Sequence, residues 1–217
     1  MKQNVKIKNR ISKMLFLPLI ILISCKTTLQ KKGEASQHKE VLQTEIVQQN
    51  KYKISDYKNN KNYFIRNIDI NKDGILDKVV CSEKFKGNEL LFFQKNKENY
   101  NFVIKTINFS EDGGRIIDDV LPTKDDNNVL KIKTFFPDGG LDLATYFIAF
   151  KNGKWKLQKT IYETRNWQKD ATKRYICEVK QDILLSELVN NKGVNRIKQI
   201  PNEEDREKKC KSFIENK

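Results

Sequence analysis

Residues 51–217 have the sequence of a mainly β domain: an antiparallel sheet, a small barrel or an incomplete propeller-like unit, with a C-terminal helix. Runs rich in Val, Ile, Phe and Tyr recur about every ten residues, and Gly, Asn and Asp separate them. The dipeptide Asn152-Gly153 offers the positive φ angles of a tight hairpin turn. A chain of 217 residues is long enough for one domain with a hydrophobic core.

Seven runs within residues 52–163 are strand candidates, because β-branched and aromatic residues fill them and turn residues bound them. Side chains alternate along a strand, so in the last run Trp155, Leu157, Lys159 and Ile161 share one face. We expect one face of that strand to pack and the other to meet water. The candidates are 63–70, 78–83, 89–94, 101–108, 129–136, 144–151 and 154–163.

After residue 167 the sequence predicts one more strand, 174–180, followed by helices. The stretch DILLSELV, 182–189, has the apolar period of a short helix. Asn202 follows Pro201 and is a suitable N-cap, and the three acidic residues after it favour the positive end of a helix dipole. We therefore expect a helical appendage at the C-terminus.

Three cysteines fall within the β domain. Cys81 follows two valines in a candidate strand, which favours a buried thiol. Cys177 and Cys210 are a candidate disulfide pair, which would staple the last helix to the preceding strand; three free thiols are the alternative.

The first 24 residues have the pattern of an export signal. Five Lys and Arg residues precede an apolar run, 14–23, that contains Pro18. A membrane-spanning helix needs roughly 20 apolar residues, so this run is too short to be one. Residues 25–50 are polar and lack aromatic residues, which is typical of a flexible tether.

Leu22, Ile23, Ser24 and Cys25 resemble the lipobox of bacterial lipoproteins. The resemblance implies lipid on the Cys25 sulfur, cleavage after Ser24, and several acyl chains that together give stable membrane attachment. Lys26 follows the cysteine without an acidic cluster, and by resemblance to known sorting rules this indicates the outer membrane, facing the periplasm. An ordinary secretory signal and a short hydrophobic N-terminal helix are the alternatives.

Composition excludes several classes of function. Five of the 42 Lys and Arg residues belong to the signal, and the other 37 face 28 acidic residues along the chain without clustering. We therefore do not expect a nucleic-acid partner. His38, the single histidine, lies in the tether, so the folded part has neither a histidine-centred catalytic triad nor a multi-histidine metal site.

One motif has the residue pattern of a cation-binding loop. Asp69, Asn71, Asp73 and Asp77 surround Gly74 in a D-x-N-x-D-G-x-x-D run between two strand candidates. Oxygen ligands at alternate positions converge when the backbone turns sharply at a glycine, and Ca²⁺ accepts such an all-oxygen shell. The alternative is a polar turn in which Asp and Asn cap their own backbone.

This run resembles the calcium loops of FG-GAP and VCBS-type repeat proteins, although only one copy is present. The resemblance implies Asp69, Asn71, Asp73 and Asp77 as side-chain ligands and the Ile75 carbonyl as a backbone ligand. It also implies Ca²⁺ as a structural cofactor in an adhesion or recognition module outside the cytoplasm.

The functional expectation is a non-enzymatic binding module, anchored to the membrane by lipid, whose partner is an envelope protein or a cell-wall polymer. An inhibitor or immunity protein against a cell-wall hydrolase is one alternative. A carboxylate-dependent envelope hydrolase is another, because paired carboxylates perform acid and base catalysis in glycosidases. Its candidate residues are Asp118 and Asp119, which with Glu111 and Asp112 flank two glycines, and solvated loops are the simpler interpretation of that segment.

Overall fold

Two antiparallel sheets make up most of the computed structural model, which describes residues 51–125, 127–137, 142–167, 171–191 and 193–216. These residues belong to a single compact unit. The signal, the lipobox with Cys25, and the tether with His38 lie outside the described residues. In the described part of the chain, every helix falls short of the length and apolar character that a bilayer span requires.

The first sheet has four strands in the order β1-β2-β3-β4, and the second has six in the order β10-β9-β8-β7-β6-β5. The strands are β1 Tyr63–Ile68, β2 Asp77–Ser82, β3 Glu89–Asn96, β4 Asn99–Ile107, β5 Ile116–Pro122, β6 Leu130–Phe135, β7 Leu143–Lys151, β8 Lys154–Trp167, β9 Ala171–Leu184 and β10 Lys211–Asn216. The mainly β, antiparallel fold class with a short C-terminal helix is confirmed. The described strands form two sheets and not a closed barrel.

Four short helical segments lie wholly within the described residues. Helix α1, Ser55–Lys58, precedes β1, and two 3₁₀ segments, Leu185–Asn191 and Val194–Arg196, follow β9. Helix α2, Glu203–Lys209, begins after Asn202, whose side chain accepts a 2.9 Å hydrogen bond from the Asp205 N–H. The predicted N-cap is confirmed.

Strand β3 is buried on both faces, and this links the two hydrophobic clusters of the domain. Leu90 and Phe92 belong to the main core, which also draws on the second sheet. Leu91 and Phe93 face the other way, into a smaller cluster that Tyr52 and other residues near α1 help to cover. Successive side chains of a strand point to opposite faces of the sheet. A strand that is covered on both faces therefore has a continuous apolar sequence.

Strand β8 departs from the regular alternation that the sequence predicts. Its register shifts between Leu157 and Lys159, as expected of a bulge, so that Thr160 and Tyr162 are buried together with Leu157. Ile161 therefore does not share a face with Leu157, and that prediction was wrong.

Three further boundaries differ from the sequence predictions. β9 continues to Leu184, so the predicted helix 182–189 begins later and is a 3₁₀ segment. β5 was not predicted because a register shift at Asp118 breaks its apolar alternation. The C-terminal appendage is a helix followed by the unpredicted edge strand β10.

A disulfide joins Cys177 on β9 to Cys210 at the end of α2, with 4.4 Å between the Cα atoms. It fastens the C-terminal segment to the second sheet. Cys81 is a free, buried thiol, and its burial raises its pKa to about 12.

Candidate binding cleft and aspartate loop

The aspartate loop, residues 69–77, connects β1 to β2 and folds around the Asp69 carboxylate. Gly74 has a φ of 85°, a conformation that L side chains rarely adopt, and it lets the loop close. The carboxylate accepts hydrogen bonds of 2.7–3.3 Å from four consecutive backbone N–H groups, those of Asn71, Lys72, Asp73 and Gly74. Asp69 is therefore the internal cap of the loop.

Asp77 is buried at the start of β2, with 1% of its surface exposed. Its two carboxylate oxygens accept hydrogen bonds from the N–H of Ile70, at 3.2 Å, and of Lys95, at 2.8 Å. Burial raises the pKa of Asp77, and the negative charges of Asp73 and Asp69 raise it further, against the lowering effect of the two hydrogen bonds. Asp77 thus ties the aspartate loop to the end of β3.

The remaining predicted ligands also have partners within the loop. Asp73 accepts hydrogen bonds from the Ile75 N–H, at 2.8 Å, and from the Asn71 side chain, at 2.7 Å. Among the described residues, no group of three or more Asp, Glu, His or Cys side chains is arranged to hold a metal ion. The hydrogen bonds are those of the capped polar turn that the sequence offered as the alternative to a calcium loop.

A cleft of about 750 Å³ opens at the other end of β2, and its size is typical of ligand sites. Three described segments border it: the β2–β3 turn with Phe85, the β4–β5 loop 108–115, and Pro137 after β6. The C-terminal wall, residues 194–199, closes the fourth side.

The floor of the cleft is apolar and aromatic. Phe109 and Tyr146 stack with their ring centroids 4.0 Å apart and an interplanar angle of 7°. Ile107, Ile116 and Ile197 complete the buried lining. At the mouth, the Phe85 ring is 77% exposed. An apolar ligand surface would be taken out of water between this ring and the floor.

Arg115 lines the cleft, but an internal partner neutralises its charge. Its guanidinium lies 2.6 Å from the Asp142 carboxylate, and only 11% of the Arg115 side chain is exposed. The guanidinium also lies over the ring of Tyr162, 5.4 Å from the centroid. These contacts fix the Arg115 side chain as part of the cleft's framework.

Glu111 and Asp112 form the acidic rim of the cleft, at the tip of the β4–β5 loop. Both side chains are exposed, and within the described residues neither has an ion-pair partner. The loop that presents them is tightly closed, because the Glu111 N–H donates to the Arg115 carbonyl at 3.0 Å and the Gly114 N–H donates to the Glu111 carbonyl at 3.1 Å.

The C-terminal wall is fastened to the second sheet. The Gln181 side chain donates to the Lys198 carbonyl at 2.8 Å and accepts from the Lys198 N–H at 3.1 Å. The Tyr162 hydroxyl donates to the same carbonyl at 3.0 Å. Ile197 and Gln199 are thus held at the cleft edge by bonds to β8 and β9.

The carboxylate pair of the hydrolase alternative does not line the cleft. Asp118 lies 3.1 Å from the Lys84 ammonium, and Asp119 lies 2.9 Å from the Arg66 guanidinium. Each of the two is engaged in an ion pair on the outside of β5. The rim residues Glu111 and Asp112 are the acidic residues of this segment that border the cleft.

Sequence reasoning missed most of the cleft. Phe85, Phe109, Tyr146 and Ile197 come from connections and strands far apart in the chain, and no local pattern brings them together. The one signal in the sequence was the glycine pair with its flanking acids, which marks the β4–β5 loop.

Comparison with protein-family models, with curated proteins and with solved structures gives no significant match for this chain. The functional conclusion therefore depends on the chemistry of the cleft and the loop.

Proposed function

We propose that this protein is a lipid-anchored, non-enzymatic binding module of the bacterial envelope, and that the cleft at the end of β2 is its ligand site. The observation that carries the proposal is the cleft itself, with about 750 Å³ of space over a stacked aromatic floor. Ligand sites in proteins are typically concave, mostly apolar and bordered by a few polar groups.

The residues around the cleft also favour binding over catalysis. Arg115 is held by Asp142, and the paired carboxylates Asp118 and Asp119 are engaged by cations on the outside of β5. The rim carboxylates are exposed and border an apolar floor, an arrangement suited to holding a ligand. The partner is an envelope protein or a cell-wall polymer.

The membrane anchor of the proposal is lipid on Cys25, supported by the lipobox sequence. The proposed location is the outer membrane, facing the periplasm. Expression of the full chain with its signal in a bacterial host fed a clickable palmitate analogue should label the protein, and Cys25→Ser should remove the label. A Cys25→Ser protein labelled as strongly as the wild type would exclude lipid on this residue.

Ca²⁺ belongs to the proposal as a structural cation of the aspartate loop. Its ligands would be the side chains of Asp69, Asn71, Asp73 and Asp77 and the carbonyl of Ile75. The supporting observation is the loop itself, in which oxygen-bearing side chains at alternate positions surround Gly74, whose φ of 85° allows the sharp turn.

Site-specific photo-cross-linking in the bacterial envelope tests the ligand site. A photoreactive residue at Phe85, at the cleft mouth, should cross-link an envelope protein or a wall fragment. The matched control is Ile214 on β10, which is 72% exposed, close to the 77% of Phe85, and does not line the cleft. Equal yields at the two positions, or no product at Phe85, would contradict the proposal.

A further inference from the structure

The charge of the cleft is opposite to the charge of the protein. Basic residues exceed acidic ones across the whole chain, which carries a formal charge of +14. Among the described residues that line the cleft, the charged side chains are Glu111, Asp112 and Arg115. Because Asp142 neutralises Arg115, the remaining charge on the described lining residues is negative.

A negative mouth over an apolar floor selects a particular shape of ligand. Lysine and arginine side chains carry a cation at the end of an apolar stem, and the stem packs along apolar surface while the charge stays near water. Carboxylates form charge-assisted hydrogen bonds with such a cation. Aromatic rings attract it through their negative faces, and Phe85 presents an exposed ring at the mouth.

An anionic ligand meets the opposite situation. It would have to displace Asp142 from Arg115, breaking an ion pair with 2.6 Å between the charged groups, and it would approach two exposed carboxylates. An uncharged sugar can donate hydroxyl hydrogen bonds to the acidic rim, but it brings no positive charge to balance the two carboxylates. The cleft volume exceeds that of one side chain, so it can hold the residues on either side of a basic one.

We propose that the cleft binds a peptide segment of a partner protein through a lysine or arginine side chain, whose stem lies on the Phe109–Tyr146 floor and whose charge meets Glu111 and Asp112. This inference rests on the proposed binding function and specifies the ligand of that same site.

The test uses three blocked peptides and the purified full-length chain in detergent. Acetyl-Phe-Lys-Phe-amide supplies the cation, the norleucine version keeps the stem without the charge, and the glutamate version reverses the charge. Isothermal titration calorimetry should give the lysine peptide an affinity about two- to fivefold above that of the norleucine peptide, the size expected for exposed charge contacts. The glutamate peptide should bind more weakly than both.

Two variants test whether Glu111 and Asp112 cause the preference for the lysine peptide. The double variant Glu111→Gln, Asp112→Asn should lower the affinity for the lysine peptide to that of the norleucine peptide and leave the latter unchanged. Asp118→Asn is the matched control, because it removes an exposed carboxylate of the same segment that does not line the cleft, and it should change neither affinity. Thermal melts confirm that each variant is folded.

Each outcome decides between the inference and the function on which it rests. Equal binding of the lysine and norleucine peptides, or an undiminished lysine preference in the double variant, overturns the basic-peptide ligand and leaves the cleft as a binding site. Tighter binding of the glutamate peptide, or binding of an uncharged chitin oligomer in place of all three peptides, also overturns it. If no peptide binds, the inference fails, and cross-linking at Phe85 decides separately whether the cleft is a binding site.

Discussion

Acidic side chains lie near both ends of β2, but they are hydrogen-bonded at one end and exposed at the other. The strand is six residues long, so the aspartate loop at Asp77 and the cleft beyond Ser82 are roughly 17–20 Å apart. At the loop, backbone N–H groups bind the carboxylates of Asp69 and Asp77. At the cleft, Glu111 and Asp112 are exposed and, within the described residues, have no ion-pair partner. We propose that the first end stabilises the fold and that the second binds the ligand.

The disulfide holds the C-terminal segment that provides one wall of the cleft, and removing it gives the largest expected effect. Cys177 and Cys210 close a loop with a sequence separation of 33, for which the chain-entropy relation gives about 3–4 kcal/mol of stabilisation. Cys210→Ser should lower the free energy of unfolding by about that amount in urea denaturation. Hydrogen exchange should rise at 194–199 and stay unchanged in the aspartate loop. Equal increases in hydrogen exchange at 194–199 and in the aspartate loop would show that the two ends of β2 are not independent.

Asp77→Ala removes the carboxylate that ties the aspartate loop to β3. The substitution leaves the N–H groups of Ile70 and Lys95 without their acceptor, and such losses cost about 1–3 kcal/mol each, offset in part by the removal of a buried charge. We expect a net loss of about 2–3 kcal/mol in urea denaturation, and less than about 0.5 kcal/mol for the exposed control Asp118→Ala. Similar losses in the two variants would contradict a structural role specific to Asp77.

Ca²⁺ should stabilise the aspartate loop and leave the cleft unaffected. At a concentration 10 to 100 times its Kd, a ligand that binds only the folded state adds about 1.4–2.7 kcal/mol. The proposed loop therefore predicts a higher Tm in millimolar CaCl₂, reversal by a chelator, and no response in Asp73→Ala. If the wild-type Tm is the same with Ca²⁺ and with chelator, the loop is a capped turn that binds no Ca²⁺.

The pKa values of Asp77 and Glu89 shift in opposite directions at the two ends of the first sheet. Burial would raise the pKa of Glu89, but hydrogen bonds from Lys105 and Tyr63 outweigh it and lower the pKa. Glu89 therefore contributes stability that is present above its unfolded pKa of about 4.3 and is lost as the pH falls through its lower folded value. Asp77, with a raised pKa, contributes stability at low pH that is lost as the pH rises through its folded value.

Glu89→Gln tests this difference with the smallest expected effect. The variant should lose about 1 kcal/mol at pH 7, where the charged hydrogen bonds are present, and less at pH 3. Urea denaturation at pH 7, 4.5 and 3 measures the trend. A loss that is constant over this range would mean that the ionisation of Glu89 does not contribute.

The sequence predicts the local features of the fold well. The Asn152-Gly153 turn has φ angles of 52° and 70°, both positive as its composition requires, and Asn202 caps α2. Each is set by neighbours a few residues away. β5 escaped prediction because the bulge at Asp118 breaks the period of two, and β10 because its pairing partner, β9, lies far back in the chain.

The cleft was harder still to predict, because its residues are far apart in the chain. The aspartate loop is continuous in sequence, so its residues, though not their hydrogen-bond partners, could be identified before the structure. The cleft combines Phe85, Phe109, Tyr146 and Ile197, which tertiary packing alone brings together. A local motif therefore indicated the structural end of β2 and missed the end that we propose binds the ligand.

Hydrogen–deuterium exchange on the full-length chain tests the division between the two ends most directly. The chain is measured alone, with CaCl₂, and with acetyl-Phe-Lys-Phe-amide. We predict that Ca²⁺ protects residues 69–77 and leaves the cleft unchanged, whereas the peptide protects residues 107–116 and 194–199 and leaves the loop unchanged. Protection of the aspartate loop by the peptide, without protection at the cleft, would refute the proposed division between the two ends of β2.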